Sequence, residues 1–225
     1  MAAGKFTGFG ERAVDFYDGL IADNSKAYWT DNREVYESDV HAPMQALLDD
    51  MAAEFGDFGE AKIFRPYRDV RFAKDKTPYK THCGAVIESG RGAGAFYVQL
   101  GPEGLLVAGG SFHNSGDQLR RFRESAADDL RGDKLSDVLA ALRKQGWTIR
   151  GERLKTTPRG YDGDHPRIDL LRHKSLYASV AYEPDDDLHS AAAAKRVRTR
   201  WRQVRQLNEW AADHVGLAET AGRGR

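Results

Sequence analysis

The chain holds a single cysteine, Cys83, among its 225 residues, so it can form no intrachain disulfide, and a reducing compartment is its natural home. Formal net charge is also absent: 34 Lys and Arg balance 34 Asp and Glu. Global electrostatic steering towards nucleic acid or a membrane surface is therefore not expected. No stretch approaches the ~20 apolar residues of a membrane-spanning helix. Met1 to Gly10 lacks the basic start and apolar run of a secretory leader. No HExxH or paired-thiol spacing provides a metal site, and nothing calls for a cofactor. The expected home is the cytoplasm, without a membrane partner. What remains, at 40 % hydrophobic residues, is enough to bury a substantial core.

The charges that are present are segregated. Residues 1–61 carry 4 Lys/Arg against 13 Asp/Glu, residues 62–82 carry 7 against 2, and residues 191–225 carry 8 against 3. The middle block reads RPYRDVRFAKDKTPYKT from Arg65 to Thr81, with six basic side chains, two aspartates and two tyrosines. Phe64, Val70 and Phe72 share one parity; Arg65, Tyr67, Asp69 and Arg71 share the other. In a strand over 62–73 the first set faces a core and the second forms a polar row. Pro66 and Arg68 spoil the alternation, which favours an edge or bulged strand. Such a row suits phosphate or carboxylate oxygens.

Around this block the pattern is helical, then extended, then helical again. Apolar residues at helical spacing predict helices over 11–21, from Ser25 (Trp29, Asn32, Arg33, Tyr36), and through Met44, Leu47, Leu48, Met51 and Phe55. Asn24 suits a helix stop, and Pro43 a first turn. Strands are expected at 82–88, 95–100 and 105–108, with a Gly-Pro-Glu-Gly hairpin turn between the last two. Gly109-Gly110 then breaks the pattern, as a bulge or a close backbone approach does. Helices over 118–130 and 135–145, strands near 147–153 and 175–182, and a last helix from about Ser190 complete the chain. The buried stripe of that last helix is Val197, Trp201, Val204, Leu207 and Ala211, and the tail from 216 should fray. This order argues one α+β domain, with a mainly antiparallel sheet packed against N-terminal, middle and C-terminal helices.

Three groups of residues carry a resemblance. They are Asn24 with Trp29, Arg33 and Tyr36; the run from Arg65 through Arg68, Asp69, Arg71, Phe72, Asp75, Lys76, Pro78, Tyr79 and Lys80; and Leu154-Lys155 through Pro158, Gly160-Tyr161 and Leu171-Arg172. In this order the chain resembles the family catalogued as domain of unknown function 2461, over roughly residues 6–215. Ser25 stands where that family has a second asparagine. The resemblance implies one compact domain and supplies no catalytic assignment.

The residues themselves point to a small phosphate- or carboxylate-bearing ligand. Arg65, Arg68, Asp69, Arg71, Asp75, Lys76, Tyr79 and Lys80 form the expected binding group, with Arg33, Lys155 and Arg172 outside it. Six cations exceed what two aspartates can neutralise, although an ion-pair lattice with the acidic N-terminal helices would use the same residues. A lysine depressed by neighbouring cations can also serve as a base or Schiff-base nucleophile. The spacing does not demand it, and whether a reaction occurs stays open. His82, His113, His165 and His173 are the acid–base candidates, and Gly90 to Gly94 reads as a flexible loop. Two further readings use other features. A nucleic-acid-associated module would combine the basic block with Lys195, Arg196, Arg198, Arg200, Arg202 and Arg205 on the last helix. An adaptor would keep the lattice as pure structure.

Overall fold

A computed structural model describes residues 5–71, 73–88 and 94–219. Phe72 and most of the Gly90–Gly94 loop lie outside those residues. The elements run α1 (Ala13–Ala22), α2 (Lys26–Asp31), α3 (Arg33–Val35), a π-helical turn (Tyr36–His41) and α4 (Ala42–Phe55). They continue with β1 (Glu60–Ile63), β2 (Cys83–Glu88), β3 (Ala95–Gly101), β4 (Gly104–Ser111), α5 (Gly116–Ala127), α6 (Asp129–Lys144) and β5 (Thr148–Arg150). Last come α7 (Ile168–Leu171), β6 (Leu176–Tyr182) and α8 (Ala192–His214). The six strands form an antiparallel sheet in the order β1-β2-β3-β4-β6-β5. The class is α+β, as the order of helical and extended patterns implies.

Two compact units are distinguished within the chain. The first comprises Met1–Ile87, Tyr97–Val107 and Ala181–Arg200. Its core is aromatic: Phe16 packs edge-on against Trp29 and Tyr17, and Trp29 lies 4.8 Å from Tyr36. The chain from Arg33 to Phe55 keeps one face inward through Tyr36, Val40, Met44, Leu47, Leu48, Met51 and Phe55, all buried. Spacings of four overshoot the 3.6-residue turn of an α-helix, and the π turn over Tyr36–His41 absorbs the difference. α1 and α2 approach closely at Gly19, where a Cβ would lie 2.2 Å from the Tyr28 hydroxyl. That hydroxyl donates to the Phe16 carbonyl at 2.9 Å.

The second unit comprises Glu88–Phe96, Ala108–Val180 and Trp201–Arg225. Ser115 caps α5 in a capping box with Gln118, and the Asp128 carboxylate accepts from the Arg131 N–H to start α6. The expected start at Gln118 therefore falls two residues late. Gly109 and Gly110 do not end β4, which runs to Ser111. Of the two readings, close approach holds: a Cβ on Gly109 would meet Val204 at 2.5 Å, and one on Gly110 (φ 132°) the Leu176 carbonyl at 2.5 Å. Trp201 and Trp210 are fully buried, and the Trp210 indole N–H donates to the Arg131 carbonyl. Residues 216–219 make contacts with α5. Arg121 donates to the Leu217 carbonyl at 2.6 Å, and Gln118 donates to that of Gly216 at 2.9 Å.

Candidate functional site

Only Lys62 and Ile63 of the expected 62–73 strand lie in one, as the last two residues of β1 (Glu60–Ile63). Beyond it the chain makes a long hairpin whose neck is closed by two backbone hydrogen bonds. Arg68 N–H donates to the Pro78 carbonyl and Lys80 N–H to the Pro66 carbonyl, each at 2.8 Å, with Tyr67 opposite Tyr79 between them. The prolines explain why pairing stops there. Pro66 and Pro78 lack N–H groups and cannot donate to a ladder, yet their carbonyls still accept.

Asn24 and Trp29 fix the hairpin from the helical side. The Asn24 side-chain amide donates to the Tyr79 carbonyl at 3.1 Å, and its oxygen accepts from the Tyr79 N–H at 3.0 Å. Asn24 is thus not the helix stop; the C-cap of α1 is Asp23. The Tyr79 ring stacks on Trp29 at 4.4 Å with planes 6° apart, and Tyr67 lies 5.4 Å from Tyr79. The first two motif groups therefore interlock, the helical one supporting the hairpin.

Within the tip, the cations separate into two sets. Arg71 is 77 % exposed and forms a two-point pair with Asp69, at 2.9 and 2.6 Å. This contact holds the Asp69 carboxyl below its ordinary range. Lys76 donates to the Val70 carbonyl at 2.9 Å. Neither Arg71 nor Lys76 reaches the cleft, because both are engaged by their own loop. Arg65 is exposed, and Arg33, on the outer side of α3, is 70 % exposed and faces Glu37 at 3.8 Å.

The other set meets. Arg68, Asp75, Thr77, Tyr79, Lys80 and His82 line an open cleft of about 340 Å³, completed by Ile21, Asn24 and Thr81. Asp75 accepts from the Thr77 N–H at 2.9 Å and from Arg68 at 2.5 Å, and these contacts hold its carboxyl down at about 2. The Arg68 guanidinium also donates to the Thr77 hydroxyl. Lys80 differs: among the described residues it has no ion pair, and its ammonium lies 5.4 Å from the Phe64 ring centre. Burial and then the nearby Arg65 charge lower its pKa. His82 is pushed down in turn, by burial and by Lys80. Beneath it the Cys83 thiol is buried and pushed up to about 12, so it is no nucleophile at neutral pH. The cleft therefore carries more positive than negative charge, and its one carboxylate is already committed.

Lys155 and Arg172 lie in the second unit. There Leu154 N–H donates to the Arg172 carbonyl at 2.8 Å and Arg153 bridges His173, so the third motif group is internally paired. The His173 ring contacts the Ser175 carbonyl at 2.9 Å, and the His165 ring accepts from Arg167 N–H at 3.0 Å. His113 is exposed. On α8, Arg196 pairs with Asp185, Arg198 with Glu54 and Arg205 with Glu209. Much of that basic face is thus locally neutralised. Among the described residues no group of three metal-binding side chains is assembled, and no helix is long and apolar enough to cross a membrane.

Sequence reasoning missed the roles of Ile21, Thr77 and Asn24. Thr77 is two residues from Asp75, and the Asp-x-Thr spacing of a side-chain-closed turn was the available signal. Asn24 carried no such signal, since its partner lies 55 residues away.

Fold and cleft together define an α+β protein with a proline-flanked hairpin that walls a basic surface cleft. The family described as Conserved hypothetical protein (DUF2461) matches residues 12–210, and the chain belongs to it. No curated protein matches the chain.

Proposed function

We propose that the cleft beside the hairpin binds a small ligand through a phosphate or carboxylate group. The observation that carries this reading is Lys80, a partly buried ammonium without a carboxylate partner among the described residues, facing the same cleft as Arg68 and His82. An anion there would restore the charge balance that burial and Arg65 disturb. Arg68, oriented by Asp75 and Thr77, presents a second donor, and Asn24 and Trp29 keep the hairpin in place. One charge-assisted hydrogen bond contributes roughly 1.5–3 kcal/mol. Two such bonds supply roughly 3–6 kcal/mol, which corresponds to about 10 mM to tens of micromolar before association costs. That range suits a metabolite. Arg71, Lys76 and Arg65 act at most as an outer field that draws anions in.

A thermal-shift screen of inorganic phosphate, phosphorylated sugars and di- and tricarboxylates tests the reading, because a ligand that binds only the folded state raises its melting temperature. We expect at least one such anion to stabilise the wild type in a concentration-dependent way, and Lys80→Ala to lose that response while keeping the unliganded melting temperature. Equal stabilisation of both proteins would place the anion elsewhere.

A further inference from the structure

The second unit holds an independent concentration of unneutralised positive charge. Arg120, Arg123, Arg159 and Tyr161 line an open pocket of about 380 Å³, floored by Gly116, Leu119 and Gly160, and among the described residues no carboxylate lines it. The three arginines have different states. Arg120 is paired along α5 with Glu124, at 3.1 Å. Arg123 is half-buried and anchored by its Nε, which donates to the Leu171 carbonyl at 3.1 Å. Both of its terminal nitrogens are left without a partner among the described residues, and burial lowers its pKa. Arg159 is exposed, with no ion pair among the described residues, on a turn where Tyr161 N–H donates to the Pro158 carbonyl and Gly160 has φ 89°. That turn brings Arg159 and the phenol to the same pocket as Arg123.

We infer that this pocket is a second anion site, taking a phosphate group between Arg123 and Arg159 with Tyr161 as a third donor. A guanidinium whose Nε is fixed by a backbone carbonyl presents its two terminal nitrogens in a defined plane, which matches two oxygens of a tetrahedral oxyanion. The Arg123 guanidinium also acts on Tyr161, opposing the rise that burial and Glu124 impose on the phenol. Both groups line the same pocket, so one ligand can engage them together. Phosphate, with up to two negative charges, fits two unpaired guanidiniums better than a single carboxylate does. None of these residues belongs to the hairpin cleft, so the site stands whether or not that cleft binds anions.

The test is a titration of the full chain with inorganic phosphate, followed by residue-resolved amide and arginine side-chain NMR. We expect saturable shifts at Gly160, Tyr161 and the Arg123 side chain. Arg159→Ala should weaken them about ten-fold or more, the loss of one charge-assisted contact. Lys80→Ala should leave them unchanged. Tyr161→Phe, which keeps the ring and removes only the hydroxyl, should weaken binding several-fold, and covers the case in which Arg159→Ala disturbs the turn. Three outcomes overturn the inference: no saturable shift at these groups, shifts that survive both pocket variants at full affinity, or shifts that disappear in Lys80→Ala.

Discussion

Asn24 shows how one side chain can fix the geometry of a distant segment. Its amide makes both backbone contacts of Tyr79, at 3.1 and 3.0 Å, and so behaves as a piece of strand laid against the hairpin. Asn24→Ala leaves a part-buried N–H and C=O without partners and should cost about 1–3 kcal/mol in urea denaturation. Asn24→Asp keeps the acceptor and loses the donor, so its cost should fall between wild type and alanine. A neutral Asn24→Ala would mean that water replaces the clamp freely. At this scale the sequence was partly legible. Composition separates a basic, aromatic block from its surroundings; parity sets Arg71 in one polar row with Arg65, Tyr67 and Asp69, and the excess of cations groups Lys76 and Lys80 with them. Short-range contacts decided otherwise: a carboxylate two residues away captured Arg71, and the Val70 carbonyl captured Lys76. Such captures depend on the turn geometry of a loop, which alternation does not encode.

The hairpin is the element that joins fold to site, and Asp75 is its internal fastener. Its carboxyl sits at about 2, because Thr77 and Arg68 donate to the ionised form. A carboxyl lowered in the folded state contributes stability that is complete above its unfolded value near 4. That contribution is lost as pH falls through about 2. The expected outcome is a local change at the Thr77 amide and the Arg68 side chain between about pH 4 and 2, seen by NMR; Asp75→Asn should abolish this pH dependence. A hairpin whose Thr77 signal is indifferent to acid in the wild type would contradict the assignment. Among elements, the longer helices and the strands after Thr81 were readable from periodicity, although α6 begins at Asp129, ahead of the expected 135, and the short α7 carried no periodic signal. The 62–73 strand was not. Two prolines at matching places in the neck end its ladder, and the pairing of Pro66 with Lys80 and Arg68 with Pro78 spans too many residues for a local pattern to reveal. The π turn over Tyr36–His41 was equally hidden, since an inward face with spacings of four also fits a plain helix within its tolerance.

For the molecule as a whole, zero net charge conceals a strongly uneven distribution. Part of it cancels within the fold, as where Arg198 of α8 meets Glu54 of α4 at 3.7 Å and donates to the Asp50 carbonyl. What remains uncancelled includes Lys80 with Arg65 in the first unit and Arg123 with Arg159 in the second. Within each unit a patch of two such cations matches a small anion better than a polyanion, which needs a continuous track of cations. Oligonucleotide binding is accordingly expected to be weak and to vanish near physiological salt, whereas tight binding that falls by several powers of ten with salt would favour a nucleic-acid partner. For the anion site proposed in the hairpin cleft, His82 is a built-in reporter, depressed by burial and by the neighbouring ammonium. An anion held by Lys80 would offset that repulsion and favour the protonated ring. The most direct measurement is the His82 titration curve, by NMR, with and without saturating inorganic phosphate in wild type and Lys80→Ala. The expected result is an upward shift of the His82 pKa on phosphate addition in the wild type and none in the variant. A His82 pKa that ignores phosphate, or rises equally in both proteins, would contradict it.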